Sequence, residues 1–234
     1  SVAAPKPREL TQRKEACHGF SARPNLRRRL RRTRFWGGKA MTKLKVALCL
    51  AAMLTGCGRE PEVTETTIEV KKNGQVVHTI IEDFSESYYN LDELESTIQQ
   101  ACDTYNASAG KEAVVLKAAK ENDDHTVTVV MQYADASAYS AFNKLALFVG
   151  TVKDAFNAGY DLNVTLSSLK GDGEQIGKED LLKMGEKHIA VVREAVNVRV
   201  WDKVRYGSED VEATANAKTV SVTDADMLTY ILFD

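Results

Sequence analysis

Few side chains in this chain are suited to covalent or metal chemistry: four cysteines and four histidines among 234 residues. A cysteine acts as a nucleophile or metal ligand only as its thiolate, which an adjacent imidazole, cation or metal must promote. Cys102 stands alone on an apolar helical stripe and is expected to be a small buried hydrophobe. His78, His125 and His188 have no second His or Cys at metal-ligand spacing, so neither a zinc site nor a cofactor is expected. Gly-x-Ser-x-Gly, the P-loop and His-Glu-x-x-His are missing from the sequence. The run from Gly171 to Gly177 has the composition of a calcium loop. With Asp172 at its first position, however, Ile176 and Lys183 fall where oxygen ligands are required. The adjacent acids Asp123-Asp124 and Glu209-Asp210 sit in turn-like contexts, where solvated turn chemistry is the default. Tyr88-Tyr89 beside Glu82, Asp83 and Glu86 offers an acidic aromatic rim, which helix capping also explains.

Two places in the sequence remain. The first is Asn197-Val198-Arg199-Val200-Trp201-Asp202-Lys203-Val204-Arg205-Tyr206. If this stretch is one regular strand, Arg199, Trp201, Lys203 and Arg205 share a face, because side chains alternate. A cationic stripe centred on an indole suits an anionic glycan or wall polymer. The competing reading is a bulge at Trp201-Asp202 that turns the indole into the core and leaves the cations as ordinary solvated charge.

The second place is Cys57. Met41 opens a segment with Lys43 and Lys45, followed by the apolar run from Val46 to Leu54 and then Thr55-Gly56-Cys57. The apolar run is too short to cross a bilayer, which takes about 20 residues. Charged start, apolar middle and small residues before the end are the layout of a secretory signal. Leu54-Thr55-Gly56-Cys57 resembles the lipobox of bacterial lipoproteins. The resemblance implies cleavage between Gly56 and Cys57, a diacylglyceryl group on the Cys57 thiol, and a protein held outside the cytoplasm by that lipid. A core helix that happens to contain these residues fits poorly with the polar continuation Gly58-Arg59-Glu60-Pro61-Glu62.

The charge distribution divides the chain at the same point. Residues 1–56 carry 14 Lys and Arg against 2 Asp and Glu, leaving 17 basic and 31 acidic groups in the other 178 residues. The arginine cluster of residues 27–32 is not read as a nucleic-acid patch, nor as a twin-arginine signal, because no apolar run follows closely. Trp36-Gly37-Gly38-Lys39 is encoded by bases that can spell a ribosome-binding sequence a suitable distance before Met41. Residues 1–40 are therefore expected to be untranslated leader, residues 41–56 a signal peptide and residues 57–65 a lipidated tether. A single domain over 66–234 is long enough to bury about 70% of its unfolded surface.

The elements that must position these residues follow from periodicity. Asn73-Gly74 between Thr66–Lys72 and Gln75–Phe84 predicts a two-residue hairpin pairing Val70 with Val77, with Glu69 across from His78 on the solvent face. Asn90 with Glu93 predicts a helix start, and Leu91, Leu94, Ile98, Cys102 and Tyr105 line one stripe. A second hairpin joins residues 112–119 and 125–133. A short helical turn over 137–143 leads into what spacing marks as the strongest helix, from Leu145 to Gly159. Then come a strand at 162–166, a two-turn helix at 178–184, and strands at 187–193, 195–206, 217–222 and 227–233. The order predicts an α+β fold: a largely antiparallel sheet with two main helices and one short helix.

Residues 88–160, with Tyr88-Tyr89-Asn90-Leu91-Asp92-Glu93-Leu94 and Phe148-Val149-Gly150-Thr151-Val152, resemble lipoproteins of Gram-positive anaerobes to which no activity is assigned. The resemblance supplies no site. The expected function is that of a non-catalytic envelope lipoprotein, anchored to the membrane through Cys57, that binds an anionic polymer or a protein partner. The alternative is a small extracytoplasmic hydrolase using carboxylates.

Overall fold

A computed structural model describes residues 63–224 and 226–234. The segments expected to be leader and signal peptide, and Leu54-Thr55-Gly56-Cys57, lie outside the described residues. The first hairpin joins β1 (Thr67–Val70) to β2 (Val76–Asp83). Its loop has three residues, not the two expected. The Gly74 N–H donates to the Lys71 carbonyl at 2.9 Å and the Lys71 N–H to the Gln75 carbonyl at 2.8 Å, with Gly74 at φ +87°. A turn closed by a glycine in the left-handed region shifts the register by one residue. Ile68 therefore faces His78 and Val70 faces Val76, while Glu69 faces Val77. This corrects the expected Glu69–His78 surface pair. Glu69 instead takes the Lys71 ammonium at 2.7 Å, and His78 is buried on the apolar face.

Helix α1 (Leu91–Ala109) follows the sequence closely. Asn90 accepts the Glu93 N–H at 2.9 Å, and Gly110 ends the helix in the left-handed conformation. Leu94, Ile98 and Cys102 are its buried residues. Asn106, near the helix end, holds the start of the next strand by accepting the N–H groups of Ala113 and Val114 and donating to the Val114 carbonyl. The second hairpin is β3 (Val114–Glu121) with β4 (Thr126–Tyr133), and α1 packs on β3. On β4, Val127, Val129, Met131 and Tyr133 are buried in strict alternation.

Helix α2 (Ala136–Asn143) is capped by Asp135, which accepts the Ala138 N–H at 2.8 Å. The long helix expected over 145–159 is not formed. Leu147–Thr151 is strand β5, and only Val152–Asn157 is helical, as α3. Thr151 and Asp154 make a reciprocal capping box that starts the helix there. The i, i+4 spacing of Leu145 and Val149 is equally compatible with the alternation of Leu147, Val149 and Thr151. Pairing with β8 (His188–Val192), Leu147 to Val192, decides for the strand. Gly159, at φ +86°, lies just beyond α3.

The strand expected at 162–166 lies later, as β6 (Leu166–Ser168), which pairs with β7 (Gln175–Ile176) ahead of α4 (Lys178–Lys183). The last third of the chain supplies β9 (Asn197–Arg199), β10 (Val204–Gly207), β11 (Val211–Ala213), β12 (Thr219–Val222) and β13 (Thr229–Phe233). One sheet has the order β11-β12-β9-β1-β2-β4-β3 and the other β5-β8-β13-β10-β6-β7. Neighbouring strands are antiparallel except β1 and β9, which run parallel with Ile68 beside Val198. The fold is α+β, with two sheets, one of them mixed, and four helices among the described residues, three of them short.

The second sheet is buried on both faces. Ile189, Val191, Tyr230 and Leu232 join Val152, Ala155 and Leu181 of α3 and α4 in one core. Ala190, Val192, Ile231 and Phe233 on the opposite face are equally inaccessible. Burial on both faces explains why β8 and β13 read as continuous apolar runs.

Strand directions sort the loops into two ends. At one end, the Asn197 N–H bonds the Thr66 carbonyl, β12 runs out at Val222, and Leu147, Val192 and Thr229 sit side by side. This is the entry end, where the described chain begins. At the far end lie the turn at 71–75, the 200–203 connection and Asp234, whose N–H bonds the Lys203 carbonyl at 3.1 Å. Four to five residues of β1 and β9 separate the two ends, roughly 14–17 Å.

Candidate functional site

The expected strand over 195–206 is two strands in two different sheets. The strand is interrupted where Trp201 and Asp202 form a bend. The Val200 N–H bonds the Lys218 carbonyl and the Val204 N–H the Ala217 carbonyl, both at 2.9 Å, so the loop before β12 clamps the crossing on either side. Alternation is lost across the bend, which lets Val200 and Val204 be buried while Trp201 also finds apolar partners. The indole packs edge to face on Phe233 with centroids 4.7 Å apart and on His188 at 4.9 Å. His188 in turn stacks on Phe233 at 5.4 Å. Trp201 is half-buried, so its position lies between the two sequence readings.

Charge gathers around this aromatic trio. Arg205 donates from Nε to Asp234 Oδ2 at 2.5 Å and from Nη2 to the same oxygen, and Lys187 Nζ reaches Asp234 Oδ1 at 2.7 Å. Those bonds, Arg205 first and Lys187 second, hold the Asp234 carboxyl below the usual carboxylate range. Lys218 Nζ donates to the Trp201 carbonyl at 2.8 Å, and Lys203 is exposed. The result is four cations and the carboxylates of Asp202 and Asp234 around a partly accessible indole. Ammonium groups that each keep spare donors suit a polyanion, and the indole offers a flat face or edge beside them.

Of the residues picked out in the sequence, Trp201, Lys203 and Arg205 are brought together at the far end. Arg199 is not with them. It lies on β9 in the other sheet, between Glu69 and Thr219 in register, with Nε 3.4 Å from Thr219 Oγ1. Lys187, His188, Lys218, Phe233 and Asp234 were not legible as site residues, because each joins the cluster only through pairing across the second sheet or the 200–218 clamp.

A second polar group is buried in the first sheet. His78 packs edge to face on Tyr139 at 5.5 Å, and the Tyr139 hydroxyl donates to the Glu194 carboxylate. Neither His78 nitrogen has a hydrogen-bond partner, and burial pushes its pKa down to about 4. The phenols of Tyr133 and Tyr139 are pushed up, chiefly by burial. These groups stay neutral at ordinary pH, so the cluster is a packing arrangement with one strong internal hydrogen bond. Tyr88, Tyr89 and Phe84 form a further aromatic group, with Tyr89 stacked on Phe84 at 5.0 Å.

Cys102 is a buried free thiol, raised in pKa chiefly by burial. Among the described residues no three His, Cys, Asp or Glu side chains gather as a metal site. Asp124 accepts both the N–H and the hydroxyl of Thr126, which is turn chemistry. A shallow groove of about 190 Å³ at the entry end is lined by residues that include Glu65, Asn197 and Ser221. There the Glu65 carboxylate accepts from Asn197 Nδ2 at 2.7 Å. No protein-family model matches the chain, and neither the curated proteins nor the solved structures provide a match.

Proposed function

We propose that the chain is an envelope lipoprotein, anchored through lipid on Cys57, whose α+β domain binds an anionic envelope polymer at the far-end cluster of Trp201, Lys203 and Arg205 with Lys187 and Lys218. The anchor rests on the charged start, apolar run and Leu54-Thr55-Gly56-Cys57 of the sequence. The observation that carries the binding role is the gathering of Lys187, Lys203, Arg205 and Lys218 around the half-buried indole of Trp201. The described chain joins the fold where Thr66 meets Asn197, and this cluster gathers beyond the opposite end of β9, four residues on and roughly 14 Å away. Residues 57–234 carry 17 basic against 31 acidic groups, so a patch of four cations with two carboxylates, Asp202 and Asp234, is a local exception to that charge. Salt screens the attraction at the cluster and so weakens binding, an effect that screening of the repulsion from the acidic body partly offsets.

The experiment expresses the full chain in a bacterium, follows its processing and lipid labelling, and measures retention of the purified protein on immobilised teichoic acid, a phosphodiester-linked wall polymer. The expected results are a lipid-labelled product beginning at Cys57, no such product from Cys57→Ala, and polymer binding that weakens with salt and with Lys203→Glu. Unchanged processing of Cys57→Ala would defeat the anchor. Polymer binding indifferent to Lys203→Glu and to salt would defeat the binding site.

A further inference from the structure

A histidine opens β8 at the far end of the second sheet. In register, His188 stands between Thr151 of β5 and Phe233 of β13, on the face that Ala190 and Val192 share. Those two are sealed in the core, whereas His188, at the strand end, is half-buried. Its ring stacks on Phe233 with centroids 5.4 Å apart and planes at 23°, and meets Trp201 nearly perpendicularly at 4.9 Å. Nδ1 is buried without a hydrogen-bond partner, but Nε2 is not sealed off as both nitrogens of His78 are. Packing alone does not call for an imidazole here. A phenyl ring would stack as well and leave no buried nitrogen unsatisfied.

The charges around this ring come from several segments. Lys187 precedes it on β8, Asp234 follows Phe233, Asp202 and Lys203 follow Trp201, Arg205 lies on β10, and Lys218 holds the Trp201 carbonyl. From β5 comes the uncharged Thr151, whose hydroxyl donates to Asp154 at 2.7 Å. The turn at 71–75, at the same end, carries the Lys71–Glu69 pair. Four cations against two carboxylates make the immediate surroundings net positive, and a polyanion seated among the lysines inverts that sign. An imidazolium is thus better accommodated in the complex than in the free protein. It would lie against the face of Phe233, within the roughly 6 Å over which a ring attracts a cation.

We propose that His188 is a fifth cationic donor of this site, its imidazolium donating a hydrogen bond from Nε2 to a phosphodiester oxygen of the polymer, so that binding takes up a proton from solvent. The inference rests on the polymer-binding reading given above and does not depend on the lipid. Reciprocity fixes the sign: if the polymer favours the protonated ring, acid must favour the polymer. Histidine ordinarily changes charge between about pH 5 and 8, where a phosphodiester keeps its single charge and Lys and Arg stay cationic. His78 stays neutral there, and His125 lies beyond the last residue of β2, where its carbonyl accepts the Phe84 N–H at 2.7 Å.

The test measures retention of the purified protein on immobilised, unsubstituted polyglycerol phosphate at about pH 5.5 and 7.5 and constant ionic strength. His188→Gln and His188→Phe are run beside it, and the second keeps the ring stacking while removing the charge. The wild-type protein should bind about three- to fivefold more tightly at the lower pH, the weight of one partly exposed charge pair. Both variants should bind equally at the two pH values. Calorimetry in two buffers of different ionisation heat should show net proton uptake on binding by the wild type and none by His188→Phe. Wild-type binding that is the same at both pH values overturns the inference and leaves the site intact. A pH effect that persists undiminished in His188→Phe also overturns it, since the proton then goes elsewhere. No retention at either pH, even at low salt, overturns the polymer-binding reading and this inference together.

Discussion

Ile68 stands directly opposite His78 across the first hairpin, and this pairing puts an imidazole without hydrogen-bond partners into an apolar core. An apolar residue of similar volume at that position would avoid the cost of desolvating two ring nitrogens. The histidine is tolerated because it can stay neutral. Its folded-state pKa is about 4, against about 6.5 when unfolded.

That difference sets a pH dependence. Between pH 6.5 and 4 the unfolded chain takes up a proton that the folded chain refuses, so stability falls as pH drops through this window. The full effect is about 3 kcal/mol, present above pH 6.5 and lost by about pH 4. His78→Leu should flatten this part of the profile. Chemical denaturation of both proteins from pH 7.5 to 4 checks it, and parallel profiles would show that His78 is not the cause. Asp234 behaves differently: its pKa is depressed, so what it contributes persists above the ordinary carboxyl range and is lost only at lower pH.

Gly74 supplies the left-handed residue that the three-residue turn requires. At φ +87° a side chain is strained whatever the surrounding space. Gly74→Ala should cost about 1–2 kcal/mol, the penalty for an L-residue in the left-handed region. A lower denaturation midpoint at unchanged slope is the expected reading.

Trp201→Ala removes ring contacts to Phe233 and His188 from a half-buried position. The stability cost should be about 2 kcal/mol, below the 3–5 kcal/mol typical of a fully buried large aromatic. Polymer retention by the folded fraction should also fall, whereas Lys203→Glu should lower retention with little change in stability. Calorimetry and polymer binding on the two proteins separate packing from recognition.

Asp234→Asn should strengthen polyanion binding several-fold, because it removes the carboxylate that occupies Arg205 and Lys187. The pairs are partly exposed, so stability should change by less than about 1 kcal/mol. A binding isotherm at low and moderate salt tests this. Weaker binding by Asp234→Asn would mean that the carboxylate positions the cations instead of competing for them.

Local chemistry made much of this fold legible. Asn90 with Glu93 marks the start of α1 because a capping side chain and a backbone N–H three residues on are always within reach. Asn73-Gly74 marks a hairpin because the chain must reverse there, and the stripe from Leu94 to Cys102 marks the buried face of the helix that follows. Each of these signals depends on residues a few positions apart.

Tertiary structure decided the rest, for reasons of range. Asn73-Gly74 suits a two- or three-residue loop, and the choice, which moves every side chain of β1 and β2 to one face or the other, is made by what the sheet can bury. Leu147–Thr151 has a spacing suited to helix or strand, and the strand wins because β8 supplies its hydrogen bonds from some forty residues away. Trp201 leaves the strand pattern because the chain changes sheets there, held by Ala217 and Lys218. The cluster of Lys187, Arg205 and Asp234 has no trace in the order of residues. It exists because β8 and β10 both pair with β13, which carries three distant charges to one end of a shared sheet.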